Sequence, residues 1–340
     1  MPRTLITGAT GFIGCRLAER WHGNGREVAA TGMVRNEVED ERATGLRKAG
    51  VPLLEADLSS PEKIDEACQG VDTIVHLAAA QHEANVSDGY FMRVNVEATR
   101  EFVKRAAQQG VRRFFYASSI GVYGIAGDSM IDEDTPLAPD NAYGRSKVAA
   151  EEMLAKENGG LQVFIGRIGE TYGPWDRRLL KLYSGIRKGR FLMVGRGGNL
   201  HQPVHVDDLA LAIDRLLETP AAAGRPVILS GDDAITTRQM CESIAAAVGK
   251  NLSRWNIPMT PMMLAAGAME ATLGRAGIQP PLHRRRLDFF RKSLKFSTAR
   301  RDALLDLPPQ RSFDDGAKET ATWYRDHNWL PLEPAIAGDR

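Results

Sequence analysis

Thr4-Leu5-Ile6-Thr7-Gly8-Ala9-Thr10-Gly11-Phe12-Ile13-Gly14-Cys15-Arg16-Leu17-Ala18-Glu19-Arg20-Trp21, near the start of the 340-residue chain, decides the fold. Thr4 to Thr7 is a short apolar, β-branched run suited to a buried strand. Phe12 to Trp21 has helical periodicity, so the glycines fall at a strand-to-helix turn. Gly8 suits the tight turn, Gly11 leaves the backbone open to a pyrophosphate, and Gly14 lets the helix pack closely. The helix N-terminus adds free N–H groups and a positive dipole end. Thr7, Gly8, Thr10, Gly11, Phe12, Ile13 and Gly14 are therefore candidate dinucleotide contacts. The spacing is GxxGxxG rather than GxGxxG, and the alternative is a glycine joint that serves packing alone.

Outward from this unit, strands alternate with helices. Candidate strands are Glu27 to Thr31, Pro52 to Ala56, Thr73 to His76, Arg113 to Ser118, Gln162 to Arg167 and Pro226 to Leu229. With Thr4 to Thr7 they make about seven, which predicts an α/β fold with a doubly wound parallel (Rossmann) sheet. Strict alternation stops past residue 170. We expect a dinucleotide-binding domain from 1–170 and 203–230, and a smaller, discontinuous substrate-binding domain from 171–202 and 231–340.

A second cluster lies further along. Asp140 and Asn141 both suit an N-cap before a helix from Ala142 to Leu154, with Gly159 as its stop. Tyr143 and Lys147 then stand at i and i+4 on one face. A phenol titrates near pH 10, so an acid/base tyrosine needs its anion stabilised, and an adjacent ammonium does this. Phe114 to Ser119 reads as a buried strand ending in hydroxyls. In an open α/β sheet this places Ser119 at the same edge as the glycine turn.

In this order the motifs resemble the extended short-chain dehydrogenase/reductase family, over essentially the whole chain. The resemblance implies that Ser119 hydrogen-bonds the reacting oxygen, Tyr143 moves the proton, and Lys147 holds the nicotinamide ribose. It also implies cofactor contacts at Asp57 and Leu58 (the adenine edge), at Leu77, Ala78 and Ala79 in the loop after His76, and at Asn95. Ser118, Ile168 and Tyr172 of Tyr172-Gly173-Pro174 complete that implied set. Relatives pair the segment Ser87 to Gln109 and the helix bearing Tyr143 with their copies, which implies a homodimer; a monomer is the alternative.

Near the end of the second strand, Thr31-Gly32-Met33-Val34-Arg35-Asn36 offers no acid for a ribose 2′-OH. It offers Arg35, with Arg16 as possible support, so NADP is expected in preference to NAD. Nucleotide-sugar dehydratases of the family place Asp-Glu after the hydroxyl residue, where this chain has Ile120 and Gly121. Epimerases commonly carry Arg-Asp where it has His201 and Gln202, although Arg177, Arg178 or Arg196 could hold a diphosphate instead. Asp207 and Asp208 are read as caps of a helix from Leu209 to Glu218. Pro203, between His201 and His205, argues against a metal site, and none is expected. Pro258 to Leu273 is Met-rich and is either an ordinary packed helix or the lining of an apolar substrate pocket.

These departures resemble the 3β-hydroxysteroid dehydrogenase and dihydroflavonol reductase branch more than the sugar-nucleotide branch, except that Ile168 stands where that branch often has Pro. The expected activity is hydride transfer between the cofactor and a secondary alcohol or ketone of a small, apolar molecule. A nucleotide-sugar 4-epimerase with tightly bound NAD and a non-catalytic NADP-binding redox sensor are the alternatives.

The formal charge of +1 argues against nucleic-acid binding. Cys15, Cys68 and Cys241 show no paired spacing, which with the lack of a visible secretion signal suits the cytoplasm. No membrane span is expected, and Arg284-Arg285-Arg286 reads as a solvated patch.

Overall fold

Thr7, the last residue of β1 (Arg3–Thr7), pairs in register with Thr31 of β2 (Val28–Gly32) on one side and His76 of β4 (Val71–His76) on the other. The computed structural model describes residues 3–58, 60–81, 86–124, 129–253, 255–273 and 287–330. With β3 (Leu53–Glu55), β5 (Arg113–Ser119), β6 (Gln162–Ile168) and the strand Val227–Leu229, a seven-stranded sheet forms in the order Val227–Leu229, β6, β5, β4, β1, β2, β3. Every pairing in it is parallel, which is the expected doubly wound fold. Chain order reverses on either side of β1, so the crevice beyond the carboxyl ends of β1 and β4 is the topological switch point.

Alternation along β1 sends Ile6 and Leu5 to opposite faces, and both are buried in apolar clusters. Each such side chain contributes about 1.5–3 kcal/mol by leaving water. One face is covered by α1 (Phe12–Gly23) and α8 (Val206–Glu218) through Leu17, Trp21, Leu209, Ile213 and Leu216. The other is covered by α3 (Pro61–Cys68), α5 (Ala98–Gln108) and α6 (Ala142–Lys156) through Ile64, Phe102, Val103, Ala150 and Leu154. α2 (Glu37–Lys48) starts at Asn36, whose side chain accepts from the backbone N–H groups of Val38 and Glu39.

The segment Ser87 to Gln109 is not a plain helix. α4 (Asp88–Met92) runs through a π-helical turn, Arg93–Glu97, into α5. Such turns insert one residue and re-aim side chains, frequently at functional sites. α8 also begins earlier than its polar pattern predicts. The His205 side chain caps it by accepting from the Asp207 backbone N–H, so neither Asp207 nor Asp208 is the cap.

Past residue 170, α7 (Arg177–Arg187), α9 (Thr237–Ala247) and two helices near the C-terminal end, Ala299–Leu304 and Phe313–Asp326, follow. Tyr183, Ile186, Met240, Ile244, Ala317, Ala321 and Tyr324 form a third apolar cluster among α7, α9 and Phe313–Asp326. α10 (Met259–Thr272) is the Met-rich segment, and it is not an ordinary packed helix: only Ala266 is buried, and Leu264 is 71% exposed. Its Met259, Met262 and Met263 lean on Val194 and Leu287. Arg284 to Arg286 lie outside the described residues. No described helix is long and apolar enough to cross a membrane.

Candidate active site

The glycine turn is closed by contacts that admit no side chain. Gly8 has φ +66°, and a Cβ there would lie 2.8 Å from the Ala78 nitrogen. A Cβ on Gly14 would lie 2.4 Å from the Gly8 carbonyl oxygen, so Gly14 packs on the turn itself rather than on the strand. α1 begins at Gly11 with no side-chain cap, leaving a dipole end open to an anion. Arg42, buried, ties the turn down by donating to the carbonyls of Thr10 (3.2 Å) and Trp175 (2.8 Å).

A cleft of about 500 Å³ opens over this turn. Gly8, Thr10, Gly11, Arg35, Asp57, Leu58, Leu77, Ala78 and Ala79 line it, as the motifs predict. Other predicted contacts are engaged within the chain. The Thr7 hydroxyl bonds His76 Nδ1 at 3.0 Å and accepts from the Ala78 N–H. Asn95, brought inward by the π-helical turn, accepts from the Ala80 N–H at 2.8 Å and donates to the Ala80 carbonyl and to Ser146 Oγ. It pins the Leu77 to Ala80 loop to the helix bearing Tyr143, and so is a positioning residue. Ser118 donates to Glu151, and Phe12, Ile13 and Ile168 pack against the sheet core. Tyr172 is buried against Phe313 and His205, its hydroxyl where a Cβ on Gly316 would be.

The sequence pattern missed two cleft residues of consequence, Glu39 and Arg93, and gave His76 of the His76 to Ala79 motif no role of its own. Glu39 lines it beside Arg35 and accepts from the Arg35 backbone N–H at 2.7 Å. The signal was available, since Asn36 caps α2 and turns the first-turn carboxylate toward the glycine turn. Arg93 lines it from the π-helical turn, which no periodicity foretold. His76 contributes a neutral ring, because burial and the Lys147 charge lower its pKa to about 3. Arg16, expected near Arg35, instead pairs with Asp207 of α8 at 2.7 and 2.9 Å.

Ser119, Tyr143 and Lys147 meet at the carboxyl end of β5. Asn141 caps α6 by accepting from the Gly144 N–H, and Gly144 touches the Gly121 carbonyl so closely that a Cβ there would lie 2.6 Å away. This close approach seats Tyr143 against the turn after Ser119. Burial pushes the Tyr143 phenol up to about 12, and its hydrogen bond with Ser119 draws it partly back. Lys147 donates to the Ala117 carbonyl at 2.7 Å, with Nζ 4.7 Å from the centre of the Tyr116 ring and 5.7 Å from that of Tyr143. Burial draws the Lys147 amine down to about 7, against the Glu151 carboxylate. Lys147 was expected to favour the phenolate, but Ser119 alone lowers the Tyr143 phenol here.

His201 and Gln202 are fully engaged within the protein. His201 bonds Glu170 (2.9 Å), Thr237 and the Phe289 carbonyl, and Gln202 bonds Gly231 and Phe296. Arg177 pairs with Glu41 and stacks on Trp329, and Arg178 pairs with Asp176. Among the described residues no group of three or more His, Cys, Asp or Glu could hold a metal ion.

A model of the NAD dependent epimerase/dehydratase family matches residues 4–230. The dTDP-glucose 4,6-dehydratase of Streptomyces antibioticus is 28% identical, over 98% of this chain and 96% of its own. The 2-alkyl-3-oxoalkanoate reductase of Shewanella oneidensis is 27% identical, over 81% of this chain and 73% of its own. Among solved structures, gox2253 matches with a TM-score of 0.78 at 25% identity, covering 97% of this chain and 100% of that one. DesIV, a dTDP-glucose 4,6-dehydratase from Streptomyces venezuelae with NAD bound, matches at 0.75 and 22% identity over 96% and 98%, which shows the fold alone.

Proposed function

The chain belongs to the NAD dependent epimerase/dehydratase family, an enzyme of the extended short-chain type, and on that premise we propose that it moves a hydride between a nicotinamide cofactor and a secondary alcohol or ketone of a small, apolar molecule. The observation that supports this reading is the meeting of Ser119, Tyr143 and Lys147 at the carboxyl end of β5, one strand beyond β4 and its cleft-lining His76, although none of the three lines the cleft itself. The crevice fits a dinucleotide, because its turn admits no Cβ at Gly8 or Gly14 and its volume is that of a ligand pocket. Gly8, Thr10 and Gly11 would hold the pyrophosphate at the α1 N-terminus, and Asp57 and Leu58 the adenine. A nicotinamide bound there would supply or accept the hydride.

The chain's own residues then handle the oxygen and its proton. Ser119 orients the substrate oxygen. With its phenol up at about 12, Tyr143 holds its proton at neutral pH, so it donates to that oxygen as a carbonyl is reduced. Oxidation runs the same transfer backwards and calls for higher pH. Lys147 orients the ribose.

Dehydration is disfavoured because Ile120 and Gly121 stand where an elimination needs two carboxylates. The family description leaves 4-epimerisation with tightly bound NAD as the competing chemistry. Against it, His201 and Gln202 have no free group for a diphosphate, and Arg177 and Arg178 are paired, whereas Arg196, the third candidate anchor, engages only through its backbone carbonyl among the described residues. A redox sensor without turnover has no use for the proton-transfer set.

Arg35 in the cleft supports NADP over NAD, whereas Glu39 beside it and the loss of Arg16 to Asp207 oppose it. The homodimer through Ser87 to Gln109 and α6, and the division into 1–170 with 203–230 and 171–202 with 231–340, belong to the same reading.

The test follows cofactor absorbance with a panel of ketones and alcohols. Tyr143→Phe is expected to lose about 10²–10⁴-fold in turnover, with NADPH affinity within about twofold of wild type. Full activity in that variant, or sugar-nucleotide interconversion without net cofactor change, overturns the reading.

A further inference from the structure

Three consecutive residues at the end of β5 engage three residues spaced four apart on α6. Ser119 lies against Tyr143 beside Gly121, the Ala117 carbonyl accepts from Lys147, and Ser118 donates to Glu151. The first two pairs belong to the proposed chemistry, and the third does not. Each step of four advances about 40° around a helix, so Tyr143, Lys147 and Glu151 lie within about 80° of one another and share one face. That face is pressed against a single strand terminus.

Glu151 is buried at 6% exposure, and a buried carboxylate without a partner is costly. Arg167, which stands opposite Ser118 in the β5–β6 register, supplies the partner at 2.8 Å and 3.2 Å. Arg167 is fixed in turn by donating to the Tyr123 hydroxyl (2.6 Å) and the Glu133 carbonyl (3.1 Å). Well-packed apolar pairs are often at least as stable as a buried ion pair, so stability is a weak account of this one.

We propose that Glu151, clamped by Arg167, is a positioning residue for the proton-transfer site: it holds the β5 terminus in register with α6 and supplies the counter-charge that faces Lys147. The inference rests on the reading of Ser119, Tyr143 and Lys147 given above. The other groups facing Lys147 supply no negative charge. They are the Tyr116 and Tyr143 phenols, both held protonated by burial, and neutral His76 on β4. The groups facing Glu151 are Ser118, Tyr116, Tyr123 and Arg167, with Lys147 on its own helix. Glu151 is thus the carboxylate acting on the amine, and burial of the amine makes that charge count.

The test needs no substrate. NADPH binding to the full chain, read by cofactor fluorescence across pH, is expected to weaken as Lys147 loses its proton. Lys147→Met should abolish that midpoint. Glu151→Gln keeps the shape and the Ser118 bond and removes the charge, and the midpoint is expected to fall by at least half a pH unit. Glu151→Asp, which restores the charge, should return it toward wild type. Should Glu151→Gln fail to fold around an unpaired Arg167, the double variant Glu151→Gln/Arg167→Gln leaves no orphan cation and carries the same expectation. If Lys147→Met abolishes the midpoint while the folded charge-removing variants leave it in place, the clamp is wrong and the site reading stands. If Lys147→Met itself retains the midpoint, the site reading fails, and the clamp with it.

Discussion

Replacing Lys147 with methionine should stabilise the protein while removing its chemistry, and the gain should depend on pH in one direction. Lys147 is 2% exposed, and burial takes its amine from an ordinary 10.5 to about 7. That gap of about 3.5, at about 1.4 kcal/mol each, bounds the penalty of holding the ammonium at about 5 kcal/mol. Losing the hydrogen bond to the Ala117 carbonyl offsets about 1 kcal/mol, or more if that oxygen stays unpartnered. Lys147→Met is therefore expected to be about 2–4 kcal/mol more stable at pH values below 7.

The sign follows from where the proton sits. Between pH 7 and 10.5 the unfolded chain holds the lysine proton and the folded chain does not. Wild-type stability from this group therefore rises with pH across that window and is lost as pH falls through the folded pKa. Methionine does not titrate, so the advantage of the variant should narrow by about 2–3 kcal/mol between about pH 6.5 and 9.5. Urea unfolding followed by circular dichroism at those two pH values measures it. A constant gap, or a variant less stable at both values, would refute the account of Lys147 as a buried amine carried for function.

The glycine turn and the ion pairs give further tests. Gly14→Ala drives a Cβ into the Gly8 carbonyl oxygen at 2.4 Å, which should cost about 1–3 kcal/mol and weaken NADPH binding at least tenfold in a fluorescence titration; unchanged affinity would mean the turn does not hold the pyrophosphate. Burial raises the Asp207 carboxyl, but Arg16 and Arg20 outweigh it and hold it below the usual range. With Arg16 and Arg20 partly in solvent, Asp207→Asn should thus cost about 1–3 kcal/mol at neutral pH, and acid titration of thermal stability should show that deficit shrinking as wild-type Asp207 protonates below its ordinary pKa. Glu39→Gln should move the ratio of NAD to NADP dissociation constants several-fold toward NADP by calorimetry, and an unmoved ratio would remove Glu39 from the choice.

Local chemistry was legible wherever period and spacing carried it. The switch from β-branched run to glycine turn to helical pattern specified the nucleotide unit, because a strand-to-helix joint with three glycines leaves few backbone solutions. Helical spacing put Tyr143 and Lys147 on one face and the order of motifs around them singled them out, while capping chemistry offered Asn141 alongside Asp140. Distant partners were not legible, since no local pattern states which charge will be buried beside which. Arg16 looked like a phosphate ligand until α8 brought Asp207 against it across 191 positions of chain. Asn95 looked like a cofactor contact until the π-helical turn aimed it at Ala80 and Ser146. Glu151 and Arg167 read as ordinary helix and strand residues, and only the parallel register of β5 with β6 sets them together under Lys147. Periodicity is a property of neighbours along the chain, whereas a site's electrostatics come from groups that folding alone makes neighbours in space.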